Sequence, residues 1–179
     1  MLFNSFAFCF IFFPLVTAGY FLLPHRYRWA LLLAASCWFY MAFVPAYILI
    51  LAFTIVVDYV AGLLIAGSSG RRRKAWLVAS IVANLGVLAF FKYYAFLDQS
   101  IAALLQAAGF AYTPTDLGIL LPIGLSFHTF QSLSYTIEVY RGHQKAERRP
   151  GHFALYVMFY PQLVAGPIIR FSEVADQLA

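Results

Sequence analysis

The residues of this chain best suited to chemistry lie in one apolar segment, LPIGLSFHTFQSLSYTIEVYRG, residues 121–142. Five of its residues recur at intervals of four, three, four and three: Gly124, His128, Gln131, Tyr135 and Glu138. That spacing places them on one face of a helix. Polar groups that face lipid are costly, so the stripe should face protein or a water-filled cavity. It therefore predicts either interhelical hydrogen bonds in a packed bundle or the lining of a cavity.

The histidine of this stripe is the strongest single candidate for a catalytic group. His128 falls about 16 Å from one end of its predicted helix, near the middle of a bilayer. A histidine at that depth can act as a general base. However, Thr129 and Gln131 could satisfy it, and the stripe supplies no second histidine or carboxylate to orient it. We interpret His128 as structural. Glu138 is predicted to pair with Arg141, three residues on.

Two other charged residues lie inside apolar segments. Asp58 is about 12 Å from the basic end of its segment, and Lys92 is about 26 Å from the same side. The difference in depth argues against an ion pair between them. Lys92 is predicted to reach the opposite interface among aromatic side chains. Asp58 then requires another partner or a water-accessible pocket.

A third feature is the interrupted stretch MFYPQLVAGPIIRF, residues 158–171. Pro161, Gly166 and Pro167 break a run that is otherwise apolar enough to enter a bilayer. Non-helical backbone at membrane depth occurs where protein surrounds it or where it borders a water-filled cavity. The residues alone support a kinked packing helix and a binding region equally.

The elements that must position these residues are membrane helices. Of the 179 residues, 63% are hydrophobic and 11% are charged, which excludes an ordinary soluble domain. Six apolar segments alternate with short breaks: 5–23, 29–44, 46–66, 75–97, 117–138 and 153–169. We predict an all-α polytopic bundle of about five full spans plus a Pro/Gly-broken sixth segment. Residues 98–116 are predicted to form a loop, with a short interfacial helix around 101–108.

The positive charge is concentrated in three places, 25–28, 71–74 and 141–149. The net charge of +5 is therefore explained by cytoplasmic loops and does not call for nucleic acid. With these loops in the cytoplasm, the N-terminus lies outside. Cys9 and Cys37 sit in apolar runs and are predicted to be buried free thiols, and no spacing in the sequence predicts a metal site. The first apolar run is interpreted as a retained span rather than a signal peptide.

Two motifs together resemble a known family. The segment 121–142, followed after a basic loop by ALYVMFYPQLVAGPIIRF, resembles the membrane-bound O-acyltransferases, especially the bacterial branch of alginate O-acetyltransferases and teichoic-acid D-alanyl transfer proteins. The stretches MLFNSFAFCFIFFP, IVVDYVAGLLI and LAFFKYYAFL are also similar to that branch. The resemblance covers essentially the whole chain. It identifies residues 1–179 as the N-terminal part of such a bundle, without a soluble domain.

The resemblance implies a multi-pass enzyme of the bacterial inner membrane. It implies acetyl transfer from a cytoplasmic thioester, acetyl-CoA or an acyl carrier, to hydroxyls of an exported polysaccharide such as alginate, with no bound cofactor. Its expected partners are the bilayer, the polysaccharide acceptor and outer-side acetyltransferases. On this reading five positions line a substrate tunnel: Gln131, Tyr135, Gln162, Gly166 and Pro167.

The resemblance also limits what this chain does by itself. The family has an aromatic residue at the position of His128 and Asp at that of Glu138, so neither receives a family role. The catalytic histidine of the family belongs to a later membrane segment, beyond Ala179. We therefore expect residues 1–179 alone to be inactive. The alternatives are a small transporter or channel that uses the polar stripe, and a non-catalytic remnant.

Overall fold

The computed structural model describes residues 3–110, 122, 124–163, 166 and 169–178. All regular elements within these residues are helices, and the described part contains no strand. A π-helical stretch, Phe8–Phe12, leads directly into the first helix. The helices are α1 (Phe13–Leu22), α2 (His25–Met41), α3 (Tyr47–Gly67), α4 (Gly70–Ala107), α5 (Leu125–Arg141), α6 (Pro150–Met158), α7 (Tyr160–Leu163) and α8 (Phe171–Leu178).

Two described helices are long and apolar enough to cross a membrane. They are α3, with 21 residues, and α4, with 38 residues. At 1.5 Å per residue α4 is about 57 Å long, so it extends well beyond a hydrocarbon core of about 30 Å. The all-α prediction is confirmed for the described residues, and the sixth segment is broken as predicted, because α6 ends at Met158 and α7 starts at Tyr160.

The predicted boundaries of α4 are wrong at both ends. Residues 98–107 continue the helix, so the predicted loop does not begin at 98 and the separate interfacial helix at 101–108 does not exist. The stretch SIAALLQA holds good helix formers and neither Gly nor Pro. The helix ends where Gly109 adopts a left-handed φ of +84°. At the other end, the basic residues 71–74 form the first turn of α4 rather than a loop.

The helices pack in two groups, and α2 and α6 of one group contact α3 of the other. Helices α3, α4 and α5 pack against one another, and α2 packs against α6. Gly62 permits a close approach between α3 and α5, since a Cβ there would lie 2.8 Å from Cε1 of Tyr135. Many large apolar side chains on the outside are exposed, including Trp38, Phe53 and Val82. This outer apolar surface is suited to lipid or to further helices.

Candidate functional site

The broken segment is held by the polar stripe of α5. Helix α6 stops because Phe159 leaves helical geometry, with φ −54° and ψ 114°. Two residues later, Pro161 has no N–H to donate to the carbonyl of Val157 four residues back. His128 donates instead, its Nδ1 lying 2.8 Å from that carbonyl oxygen. The predicted satisfaction of His128 by Thr129 or Gln131 is thus wrong: its partner is a carbonyl that the break leaves without a helical donor.

The Tyr156 carbonyl and the Tyr160 amide would bond to each other in an unbroken helix. Both instead bond to side chains of other helices. The amide of Tyr160 donates to Ser36 Oγ of α2 at 3.1 Å, since the turn at Phe159 directs it away from α6. The Tyr156 carbonyl accepts from Gln131 Nε2 at 2.8 Å, and that amide nitrogen also lies 3.3 Å from Gln162 Oε1. Buried backbone groups require partners, so side chains from α5 and α2 compensate for the interrupted helix.

Tyr135, the third buried member of the stripe, bonds to a loop and not to the broken segment. Tyr135 is fully buried, and its hydroxyl accepts the Glu147 amide at 2.9 Å. Glu147 lies in residues 142–149, which connect α5 to α6 and are called the basic loop below. Glu138 lies 3.2 Å from His143 Nδ1, so the predicted pair with Arg141 is wrong in the described structure. The left-handed turn at Gly142 brings His143 back over the last turn of α5.

The structure describes the surroundings of four of the five residues that were predicted to line a tunnel. Gln131 is buried and bonds to the Tyr156 carbonyl of α6, and Tyr135 is buried and bonds to the Glu147 amide of the basic loop. Gln162 borders a cavity of about 300 Å³ with Tyr156 and Phe159. The Gly166 amide donates to the Gln162 carbonyl at 3.0 Å, and a Cβ on Gly166 would lie 2.6 Å from Gln162 Cα. Pro167 lies outside the described residues, and the tunnel role of all five stays a prediction.

Asp58 has the partners that its depth requires. Its Oδ1 accepts from Ser80 Oγ at 2.6 Å and from Asn84 Nδ2 at 2.7 Å, and its Oδ2 accepts from Ser132 Oγ. All four side chains are 0–1% exposed. Thr136 adds a hydroxyl 3.5 Å from Ser80 Oγ. This Asp58 cluster joins α3, α4 and α5 in one buried network. The prediction that Asp58 does not pair with Lys92 is confirmed, since Lys92 Nζ lies over the Tyr93 ring.

Sequence reasoning missed the partners of both polar centres. Ser80 and Asn84 lie four residues apart in an apolar helix, and Ser132 lies four residues after His128. Polar residues at these intervals share a helical face, and that signal could have identified them. Nothing in the sequence indicates that Ser36 is the acceptor for Tyr160. No group of three or more His, Cys, Asp or Glu that could hold a metal occurs among the described residues.

Comparison with known proteins agrees with the resemblance. The chain is 41% identical over 180 residues to "Probable alginate O-acetylase AlgI" of Azotobacter vinelandii, covering 99% of this chain and 36% of that protein. The protein of that name from Pseudomonas aeruginosa is also 41% identical, with 34% of its length covered. A "Peptidoglycan O-acetyltransferase" of Helicobacter pylori is 31% identical over 207 residues, with 38% of its length covered.

The resemblance inferred from the two motifs is thus confirmed over 99% of the chain. The chain spans about a third of the length of these relatives. No family model matches it. No solved structure matches it either.

Proposed function

We propose that this chain, a relative of the alginate O-acetylases throughout its length, forms the N-terminal part of a membrane O-acetyltransferase. The enzyme would move an acetyl group from a thioester donor, acetyl-CoA or an acyl carrier, to hydroxyls of an exported polysaccharide such as alginate. The observation that carries this proposal is the 41% identity over 99% of the chain to two proteins named as alginate O-acetylases.

The part that residues 1–179 play in this reaction is that of a scaffold and pathway wall. We assign the general base to a histidine outside these residues, as the family resemblance implies. His128 donates a hydrogen bond that supports the broken segment, which is a structural task. Gln162 is the residue through which we expect the chain to affect transfer, because it borders the cavity beside the break.

The proposed arrangement in the membrane is five full spans and a broken sixth, in the bacterial inner membrane, with the N-terminus outside. Two contacts support a common side for the basic clusters. Arg73, at the start of α4, donates to the Val139 carbonyl near the end of α5 at 3.1 Å. The rings of Trp29, at the start of α2, and His152, at the start of α6, lie 5.4 Å apart. Clusters on one side fit the excess of Lys and Arg in cytoplasmic loops.

We further propose the partners that such a reaction requires. They are the bilayer, the polysaccharide acceptor and outer-side acetyltransferases that act on the same polymer. The exposed apolar side chains on α3 and α4 support contact with lipid or with later helices of the same enzyme.

The proposal is tested in cells with the complete gene. Deletion of the gene should abolish O-acetyl groups on one exported polysaccharide, measured by NMR of the purified polymer, and the full gene should restore them. Gln162→Trp should lower the restored acetylation because the indole would fill the cavity beside the break. Phe96→Trp is the control, since Phe96 is 67% exposed.

Immunoblots of membrane fractions establish that both variants accumulate equally. An acetyl content that does not change on deletion, for any exported polymer, would refute the enzyme proposal. Equal acetylation with Gln162→Trp and Phe96→Trp would refute the pathway role of Gln162 and leave the enzyme proposal intact.

A further inference from the structure

A second, larger cavity lies at the end of the bundle where α3, α4, α5 and the basic loop meet. Its volume is about 780 Å³, within the range of small-molecule sites. Four cationic side chains line it, Arg73, Lys145, Arg148 and Arg149, against the single carboxylate of Glu147. The formal charge of the lining is therefore +3. None of these four cations forms an ion pair with a carboxylate within the described part of the chain.

The backbone that carries these cations is fixed from two sides. Tyr135 accepts the Glu147 amide at 2.9 Å, and Tyr59 donates to the Arg148 carbonyl at 2.6 Å. Glu147 Oε1 accepts the Arg149 amide at 2.7 Å. The loop thus holds its backbone in place while the side chains of Lys145, Arg148 and Arg149 stay exposed. Because the backbone is fixed, a ligand has to order only the side chains and not the loop.

Arg73 contributes from the opposite wall. One of its terminal nitrogens donates to the Val139 carbonyl at 3.1 Å, and its guanidinium lies 5.4 Å from the centre of the Tyr140 ring. Its Nε is buried and has no hydrogen-bond partner among the described residues. A half-buried guanidinium held at one edge keeps further donors for an anion.

Like charges that line one cavity repel each other, and a bound anion relieves that repulsion. A group that carries two or more negative charges on tetrahedral oxygens suits several converging Arg and Lys donors. We propose that this cavity binds a phosphate-bearing group. The inference rests on the cavity and holds whether or not the chain belongs to an acetyltransferase. The group could come from an anionic phospholipid headgroup or from a soluble nucleotide, and both sources present the same chemistry.

The test uses the complete gene product purified in neutral detergent. Adenosine 3′,5′-bisphosphate is the soluble probe, with adenosine as its uncharged control, and binding is measured by calorimetry. Nanodiscs of phosphatidylglycerol or of phosphatidylcholine form the lipid arm, in which bound lipid is counted by native mass spectrometry. Binding of the bisphosphate identifies a nucleotide source, and selective retention of phosphatidylglycerol identifies a lipid source.

Matched charge variants assign the binding to the cavity. Arg148→Gln combined with Arg149→Gln should weaken binding of the successful probe at least tenfold. Arg71→Gln combined with Arg72→Gln removes the same charge from exposed positions that do not line the cavity, and should change affinity less than about threefold. Glu147→Gln should tighten binding, because it removes the one negative charge of the lining.

Two results would overturn the proposal. One is the absence of any preference for the charged probe in both arms. The other is an equal loss of affinity in the two double variants, which would mean that net charge rather than the cavity attracts the anion. Thermal unfolding of each variant shows whether it is folded. If the variant with Arg148→Gln and Arg149→Gln is unfolded, the Arg73→Lys variant is measured in its place. Wild-type affinity in the Arg73→Lys variant would contradict the proposed role of the guanidinium.

Discussion

Replacement of Asp58 should destabilise the bundle more than replacement of any single partner in its cluster. Asp58→Ala removes the acceptor of three hydroxyl or amide donors, all buried. Two donors keep another contact, because Ser80 Oγ lies 3.5 Å from Thr136 and Asn84 Nδ2 lies 3.0 Å from the Ser80 carbonyl. The Ser132 hydroxyl has no second acceptor among the described residues and loses its bond entirely.

The expected loss of unfolding free energy follows from the number of buried donors that lose their acceptor. A buried donor that loses its partner costs about 1–3 kcal/mol, and a donor with a second acceptor costs less. Asp58→Ala should therefore lower the free energy of unfolding by about 2–5 kcal/mol. Asp58→Asn retains one acceptor oxygen, and the Ser132 hydroxyl can turn to accept from the new amide, so we expect a loss of about 1–2 kcal/mol.

The assay is equilibrium unfolding of the complete protein in mixed detergent micelles, followed by tryptophan fluorescence. Ser132→Ala combined with Asp58→Asn in a double-mutant cycle measures the coupling across α3 and α5, expected at about 0.5–2 kcal/mol. Ser100→Ala is the control, because its hydroxyl bonds to the Phe96 carbonyl of its own helix and not to another helix among the described residues. A loss below about 0.5 kcal/mol for Asp58→Ala would refute the reasoning, since that is the scale of one average interhelical bond in a membrane.

Three further substitutions test other contacts. Gly62→Ala should lower thermal stability by about 1–3 kcal/mol, because its Cβ meets the Tyr135 ring at 2.8 Å, whereas Gly86→Ala, with open space around it, should be neutral or stabilising in the same melt. His128→Phe should cost about 1–3 kcal/mol in equilibrium unfolding, since the carbonyl it bonds is left unpaired. Tyr59→Phe should speed trypsin cleavage of the basic loop several-fold, whereas an unchanged cleavage rate would mean that its bond to that loop does not restrain it.

The break in the sixth segment shows which features of the structure the local sequence can predict. Pro161 predicts an interruption, because it lacks an N–H and clashes with the preceding turn. The helix in fact ends at Met158, and the deviation falls on Phe159. Sequence also predicts that the freed backbone must be buried or hydrated. It does not identify the donors, which come from His128 and Gln131 on a different helix.

In α4, helix propensity extends the helix further than the sequence analysis predicted. Two Asp and a Thr-Pro-Thr within residues 98–116 suggested a polar loop, yet 98–107 are helical and the helix ends just before the glycine at 109. Helix formers without Gly or Pro outweigh modest polarity when the segment need not lie in hydrocarbon.

The sequence by itself determined the helical membrane class, the polar face of α5, the interruption near Pro161 and the relationship to O-acetyltransferases, because each depends on composition, periodicity or contiguous motifs. Only the tertiary structure decided the partners of Asp58, the donors to the broken segment and the convergence of four cations on one cavity. The physical reason is distance along the chain. These contacts join residues 22 to 74 positions apart in the Asp58 cluster and 29 apart at the break, so helix packing and not local sequence brings them together.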